Sequence, residues 1–95
     1  IKPLAGTALE FDLLQSYPNP ASGMAHIPFA LNKASQVRIS VVDATGRVVA
    51  VVMDGMRPQG FHTESLDTRA LNPGSYFLIL ETNGDRTTRP FSVMR

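Results

Sequence analysis

Short runs of alternating apolar and polar residues recur along this chain, and turn-forming residues separate them. The clearest run lies at residues 36–43, where Val37, Ile39 and Val41 alternate with polar residues. A side-chain period of two is that of a half-buried β-strand. No window shows the 3.6-residue apolar period of an amphipathic helix, so the pattern predicts an all-β domain.

The pattern predicts seven strands. They span residues 9–15, 25–31, 36–43, 47–53, 60–67, 75–82 and 86–94, and residues 54–59 are expected to form a loop. Seven short strands in a chain of 95 residues are typical of an antiparallel immunoglobulin-like β-sandwich. The cysteine pair and the core Trp of antibody domains are missing, so the similarity is to the architecture only.

Turn-forming sequences connect these strands. Asp43-Ala44-Thr45-Gly46 predicts a type I turn with Gly46 in the left-handed region. Asn83-Gly84 predicts a two-residue type I′ hairpin. In Tyr17-Pro18-Asn19-Pro20, two prolines lack backbone donors, so this segment is expected to be a rigid extended turn.

Prolines also fall inside two predicted strands. Pro28 and Pro90 cannot donate a hydrogen bond to a neighbouring strand. We therefore expect each proline to face an open edge of its sheet or to sit in a bulge.

Aromatic residues are distributed as core residues would be. Phe29, Tyr76 and Phe91 occupy inward positions of predicted strands, so they are expected to pack in the core rather than to form a carbohydrate-binding platform. Tyr17 lies beside two prolines. It is expected to cap the end of the sandwich, with its hydroxyl group bonded to the backbone.

The penultimate strand is apolar on both faces. If its alternate residues point inward, Phe77 and Ile79 point outward. With Val49 and Val51 they would form an exposed apolar patch, which is a mark of partner binding. The alternative is that the sandwich and a neighbouring loop bury both faces.

Composition excludes several classes of function. The net charge is +1, with basic residues scattered among carboxylates, so nothing favours nucleic acid or an anionic membrane as partner. No apolar run approaches the roughly 20 residues of a membrane-spanning helix. Residue 1 is Ile rather than Met, which suggests a piece of a longer chain. Residues 1–8 are expected to be a linker or tail from a preceding domain, and residues 9–95 the domain itself.

Candidate catalytic residues are few. His26 and His62 are the two histidines, and neither lies in a pattern that supports a Ser-His-Asp triad. The carboxylates stand singly, mostly at turns, so neither glycoside chemistry nor a dedicated calcium loop is indicated, although turn carbonyls with an Asp could still hold a structural ion. There is no phosphate-binding glycine loop and no dinucleotide fingerprint, so no cofactor is expected.

A series of short motifs follows in a characteristic order and spans about residues 9–95. These motifs are Tyr17-Pro18-Asn19-Pro20, Ile27-x-Phe29-x-Leu31, Val37-x-Ile39-x-Val41-x-Asp43, Gly46-Arg47-x-Val49, Gly60-x-His62, Leu66-Asp67, Leu71-x-x-Gly74-x-Tyr76 and the terminal Arg95. In this order and spacing the chain resembles the type A C-terminal sorting domain of type IX (Por) secretion system cargo proteins.

The resemblance implies a non-catalytic address module at the end of a larger secreted protein. In the family, the outer-membrane secretion machinery reads the folded domain. A sortase-like peptidase then removes it, and the cargo is attached to the cell surface or released. Cleavage would fall before the fold, in residues 1–9.

Two other functions remain open on the sequence. The first is a carbohydrate-binding or fibronectin-like spacer module of a secreted hydrolase. The second is an assembly domain like the immunoglobulin-like part of flagellar hook-capping proteins, which shares the Gly-Arg hairpin and the Gly-x-Tyr strand.

Overall fold

The computed structural model describes residues 11–82 and 85–94, and Phe11 by its backbone alone. Seven strands and one short 3-10 helix form in this part of the chain. They are β1 Phe11–Leu13, β2 Met24–Leu31, β3 Ser35–Asp43, β4 Val48–Arg57, β5 Gly60–Asp67, the 3-10 turn Thr68–Ala70, β6 Gly74–Thr82 and β7 Asp85–Val93.

The strands form two antiparallel sheets packed as a sandwich. One sheet has three strands in the order β1-β2-β5, and the other has four in the order β4-β3-β6-β7. This architecture confirms the predicted seven-stranded immunoglobulin-like sandwich. Since β5 follows β4 directly but belongs to the other sheet, the chain crosses between the sheets at Pro58 and Gln59.

The core lies between the sheets and takes its residues from alternating positions. Val37, Ile39 and Val41 are fully buried, as the period of two predicts. The three predicted core aromatics are also buried, namely Phe29, Tyr76 and Phe91. Aliphatic side chains from both sheets complete the cluster, including Leu13, Ile27, Leu31, Leu78, Leu80 and Val93.

Strand bounds differ from the expected ones at two places. Residues 54–57 were expected in a loop, but β4 continues to Arg57 because β3 offers partners as far as Ser35, which pairs with Arg57. The first strand is Phe11–Leu13, shorter at its end than expected. Residues 1–10, the predicted Asn83-Gly84 hairpin and Arg95 lie outside the described residues, although Thr82 and Asp85 on either side of that hairpin are paired.

The expected edge position of Pro28 is wrong. β2 is the central strand of its sheet, and Pro28 pairs with Thr63 of β5. The carbonyl of Pro28 accepts a bond from the backbone N–H of Leu14 at 3.1 Å, so the nitrogen of Pro28 also faces that side. Pro28 has no backbone N–H to donate toward β1. Since β1 ends at Leu13, this position of β2 lies just beyond the last paired residue of β1.

Pro90 meets the expectation. It lies in β7, which is an edge strand of the four-stranded sheet, and it pairs with Phe77 of β6. A proline at an edge leaves no sheet hydrogen bond unmade and also discourages pairing with another chain.

Candidate functional site

Residues 16–21, which we call the clamp segment, contain the Tyr-Pro-Asn-Pro motif and connect the two sheets. At its start, the segment extends the three-stranded sheet. The backbone N–H of Tyr17 donates to the carbonyl of His26 in β2 at 2.9 Å, and His26 N–H donates back at 2.8 Å. The Tyr17-Pro18 and Asn19-Pro20 peptide bonds are both cis.

The other end of the clamp segment holds the C-terminal part of β7. Ala21 N–H donates to the carbonyl of Ser92 at 2.8 Å, and Met94 N–H donates to the carbonyl of Ala21 at 2.9 Å. Between these bonds, the Asn19 Oδ1 atom accepts from the Ser92 N–H at 3.0 Å. The motif therefore satisfies backbone groups on the outer edge of the last strand, which that edge would otherwise expose.

Two side-chain contacts extend this attachment to β1 and the residues just after it. The Arg89 Nε atom donates to the carbonyl of Leu13 at 2.8 Å. The Gln15 Nε2 atom donates to the carbonyl of Pro90 at 3.3 Å. The last strand is thus fixed along one edge by β6 and along the other by residues near the start of the domain.

Replacing Asn19 with alanine should lower the free energy of unfolding by roughly 0.5–1.5 kcal/mol, since it removes one hydrogen bond from the edge of β7. The Asn19→Asp variant keeps an acceptor oxygen and serves as the matched control. Urea denaturation of the three proteins measures the effect. Equal loss in both variants would show that the Asn19 acceptor does not hold β7.

Tyr17 differs from its expected role. Its ring is half exposed and lies against the His26 imidazole, with ring centroids 5.3 Å apart. The hydroxyl group that bonds to backbone belongs instead to Tyr76, which donates to the carbonyl of Asn72 at 2.6 Å. A tyrosine near the start of the sixth strand that bonds a few residues upstream is the tyrosine corner of immunoglobulin-like sandwiches.

The Gly46-Arg47 motif closes the β3–β4 hairpin. Gly46 has a φ of 88°, as the predicted turn requires. The Asp43 Oδ1 atom accepts from the backbone N–H of Thr45 at 2.9 Å, from its hydroxyl at 2.6 Å, and from Arg47 N–H at 3.0 Å. These bonds, led by the Thr45 hydroxyl, lower the pKa of the Asp43 carboxyl.

The other motif residues also lie at turns and strand starts. The His62 ring stacks on Phe29 with centroids 5.2 Å apart, and its Nε2 atom lies 2.7 Å from the Pro58 carbonyl oxygen across the turn that Gly60 completes. Asp67 accepts from the backbone N–H of Arg69 at 3.0 Å and begins the 3-10 turn. Gly74 opens β6 with a φ of 155°.

The four residues of the predicted apolar patch all belong to the four-stranded sheet. Val51, Phe77 and Ile79 lie on its outer face, while Val49 is an exposed residue at a register shift of β4. Phe77 is 41% exposed, but Ile79 is only 8% exposed. Ile79 therefore forms the floor of the patch and exposes little of its side chain.

The described contacts of the clamp segment with the end of β7 are hydrogen bonds that all involve a backbone atom of Ser92 or Met94. Among the described residues, no three His, Asp or Glu side chains come close enough to hold a metal ion. The Ser65 Oγ and His26 Nδ1 atoms lie 3.4 Å apart on an exposed strand face, which is too long for a strong hydrogen bond. No helix in the described part of the chain is long and apolar enough to cross a membrane.

The contacts that join the clamp segment and β1 to β7 could be predicted only in part from the sequence. The motif predicted a turn at residues 17–20. The residue types at Ser92, Met94 and Leu13, however, do not indicate that these residues take part in the contacts between the start and the end of the domain. On Ser92, Met94 and Leu13 these contacts use backbone atoms, which every residue carries. Arg89 is the exception, yet its sequence context does not distinguish it from the other scattered basic residues.

Comparison with known families identifies the chain. The family model of the secretion system C-terminal sorting domain matches residues 15–94, which is nearly the whole chain. No curated protein matches the sequence. The match begins just before the clamp segment and ends at Met94, whose N–H bonds to that segment. The chain belongs to the secretion system C-terminal sorting domain family, and is a non-catalytic domain that sorts a secreted protein through the Por (type IX) secretion system.

Proposed function

We propose that the outer-membrane secretion machinery reads the C-terminal end of β7 while the clamp segment holds it in place. The observation that carries this proposal is the attachment of Ser92 and Met94 to residues 19–21 by three hydrogen bonds. These bonds fix the backbone of the last strand and leave the Met94 side chain 51% exposed. A preorganised surface binds with less loss of conformational entropy than a free tail.

The proposal assigns the remaining parts of the chain accordingly. Residues 9–95 are the sorting domain, and residues 1–8 link it to the cargo domain of the same protein. A sortase-like peptidase cuts within or near this linker after the cargo has crossed the periplasm and the outer membrane. The cargo is then attached to the cell surface or released. The linker precedes β1, so the cut would leave the sandwich whole.

Transfer of the domain to a foreign protein tests the proposal. A monomeric periplasmic reporter joined to residues 1–95 should reach the cell surface or medium of a host with a type IX system, and the reporter alone should stay in the periplasm. Cell fractionation with immunoblotting measures the distribution. The same fusion in a strain that lacks the outer-membrane translocon is the control and should remain periplasmic.

Two outcomes would contradict the assignment. Surface display of the reporter without the domain would show that residues 1–95 are not the address. Retention of a folded fusion in the wild-type host would show that the domain is not sufficient for export. Circular dichroism of the purified fusion establishes that the domain is folded in each case.

A further inference from the structure

The outer face of the four-stranded sheet carries three rows of side chains, each crossing all four strands. The pairing of β4, β3, β6 and β7 places one residue of each strand in every row. In that strand order the first row is Val48, Val42, Phe77 and Pro90, the second is Val51, Ser40, Ile79 and Thr88, and the third is Asp54, Arg38, Glu81 and Arg86.

The first two rows form an apolar surface with an uneven relief. Phe77 stands out from the sheet, while Val42 beside it on β3 is recessed and only 6% exposed. In the second row, Ile79 of β6 lies beside the small buried Ser40 of β3. The β6 side chains of these rows are therefore larger than their β3 neighbours.

The third row alternates in charge across the sheet. Reading from β4 to β7, it presents a carboxylate, a guanidinium, a carboxylate and a guanidinium. Its two central members, Arg38 and Glu81, lie 3.8 Å apart, and both are partly exposed. Asp54 and Arg86 at the ends of the row are exposed.

We propose that two copies of this chain associate through this face, about a two-fold axis that runs parallel to the strands. Such an axis places β4 opposite β7 of the second copy, and β3 opposite β6. Asp54 then faces the second copy's Arg86, and Arg38 faces its Glu81. Every charge in the row meets its opposite, and each contact occurs twice.

The same axis fits the relief of the apolar rows. It sets the protruding Phe77 against the recessed Val42 of the other copy, while Ile79 and Ser40, which both expose little of their side chains, face each other. In the first row a protruding side chain thus meets a recessed one, which favours close packing between two sheets about 10 Å apart. A two-fold axis perpendicular to the strands would instead place each strand opposite the same strand of the second copy. Like charges would then meet wherever the charged rows faced each other.

The size of the face sets the strength expected for the dimer. Four strands spaced about 4.8 Å apart, and three rows along them, cover on the order of 400 Å². This is roughly half of the 800 Å² per partner of a standard stable interface. The dimer should therefore be weak, forming at high local concentration.

The position of this face leaves the three-stranded sheet accessible. β1 and β2 belong to the three-stranded sheet, on the other side of the sandwich. The interface would therefore leave β1, the first strand of the domain, uncovered. The proposal does not depend on the sorting function, since it rests on the surface of the domain alone.

Sedimentation equilibrium of residues 1–95, from micromolar to millimolar concentration, tests the proposal. The wild-type chain should dimerise reversibly, and Phe77→Ser should weaken the dimer at least about tenfold. Phe61→Ser is the matched control, because Phe61 is 83% exposed but lies on β5 of the opposite sheet. This control should dimerise as the wild type does.

A pair of charge variants tests the orientation of the axis. Asp54→Arg alone sets arginine against Arg86 of the second copy, and Arg86→Asp alone sets aspartate against Asp54. Each variant should dimerise at least about tenfold more weakly than the wild type. Mixed in equal amounts, they should form a heterodimer of about wild-type strength, since each contact again joins opposite charges.

A wild-type chain that stays monomeric at millimolar concentration would overturn the proposal. Loss of the dimer in Phe61→Ser but not in Phe77→Ser would place the interface on the other sheet. Failure of the two charge variants to restore each other would rule out the strand-parallel axis. Circular dichroism melting of every variant separates these outcomes from unfolding.

Discussion

Replacement of Phe91 by alanine is expected to lower the free energy of unfolding by about 3–5 kcal/mol. Phe91 is 1% exposed and lies on the inner face of β7, opposite Tyr76 of β6. Its removal would leave a cavity that a small sandwich cannot close without moving whole strands. Since a domain of this size has a total stability of only about 5–15 kcal/mol, the loss would be a large part of it.

Urea denaturation followed by circular dichroism measures this loss. Phe61→Ala is the matched control, because it removes the same side chain from a position that is 83% exposed. The control should change the stability by less than about 0.5 kcal/mol. Similar losses for the two variants would contradict the burial of Phe91 in the core.

Removal of Met94 and Arg95 should reduce export strongly while the sandwich remains folded. The fold loses the bond between Met94 N–H and the Ala21 carbonyl, which costs roughly 1 kcal/mol, and the contacts of a Met94 side chain that is half exposed. The proposed recognition of the end of β7 requires these residues. We therefore expect the exported fraction of a reporter fusion to fall about tenfold or more, as 1.4 kcal/mol of lost recognition would give.

A second variant separates the effect of shortening the chain from the effect of losing the side chains of Met94 and Arg95. Met94→Gly with Arg95→Ser keeps the backbone and its bond to Ala21 but removes the Met94 side chain and the Arg95 guanidinium group. Export of this variant at the wild-type level would show that the backbone alone is read. Unchanged export of the shortened chain would show that the end of β7 does not contribute to the address.

Local sequence patterns predicted most of the strands because each depends on a few neighbouring residues. The alternation of Val37, Ile39 and Val41 identified β3, and its inward face was correct. The hairpin at Gly46 was also predictable, since a left-handed residue at that position favours glycine. The end of β4 could not be predicted in this way, because its last residues pair with β3 although their own preference for a strand is weak.

The position of Pro28 shows where local patterns fail. A proline in a strand suggests an edge, but the order of strands in a sheet is set by packing of distant segments. β2 lies in the centre of its sheet, and Pro28 is accommodated because the neighbouring β1 stops one residue short. The length of β1 thus determines whether the proline is tolerated.

The sequence by itself determined the all-β class, the family and the turn at Tyr17-Pro18-Asn19-Pro20, because side-chain periodicity and proline geometry act locally. The tertiary structure alone decided what that turn does. The contacts of Asn19 and the adjoining Ala21 with Ser92 and Met94 join residues more than seventy positions apart, and on Ser92 and Met94 they use backbone atoms, which are the same in every residue. The rows on the outer face depend likewise on strand order and register, which arise only when the two sheets pack.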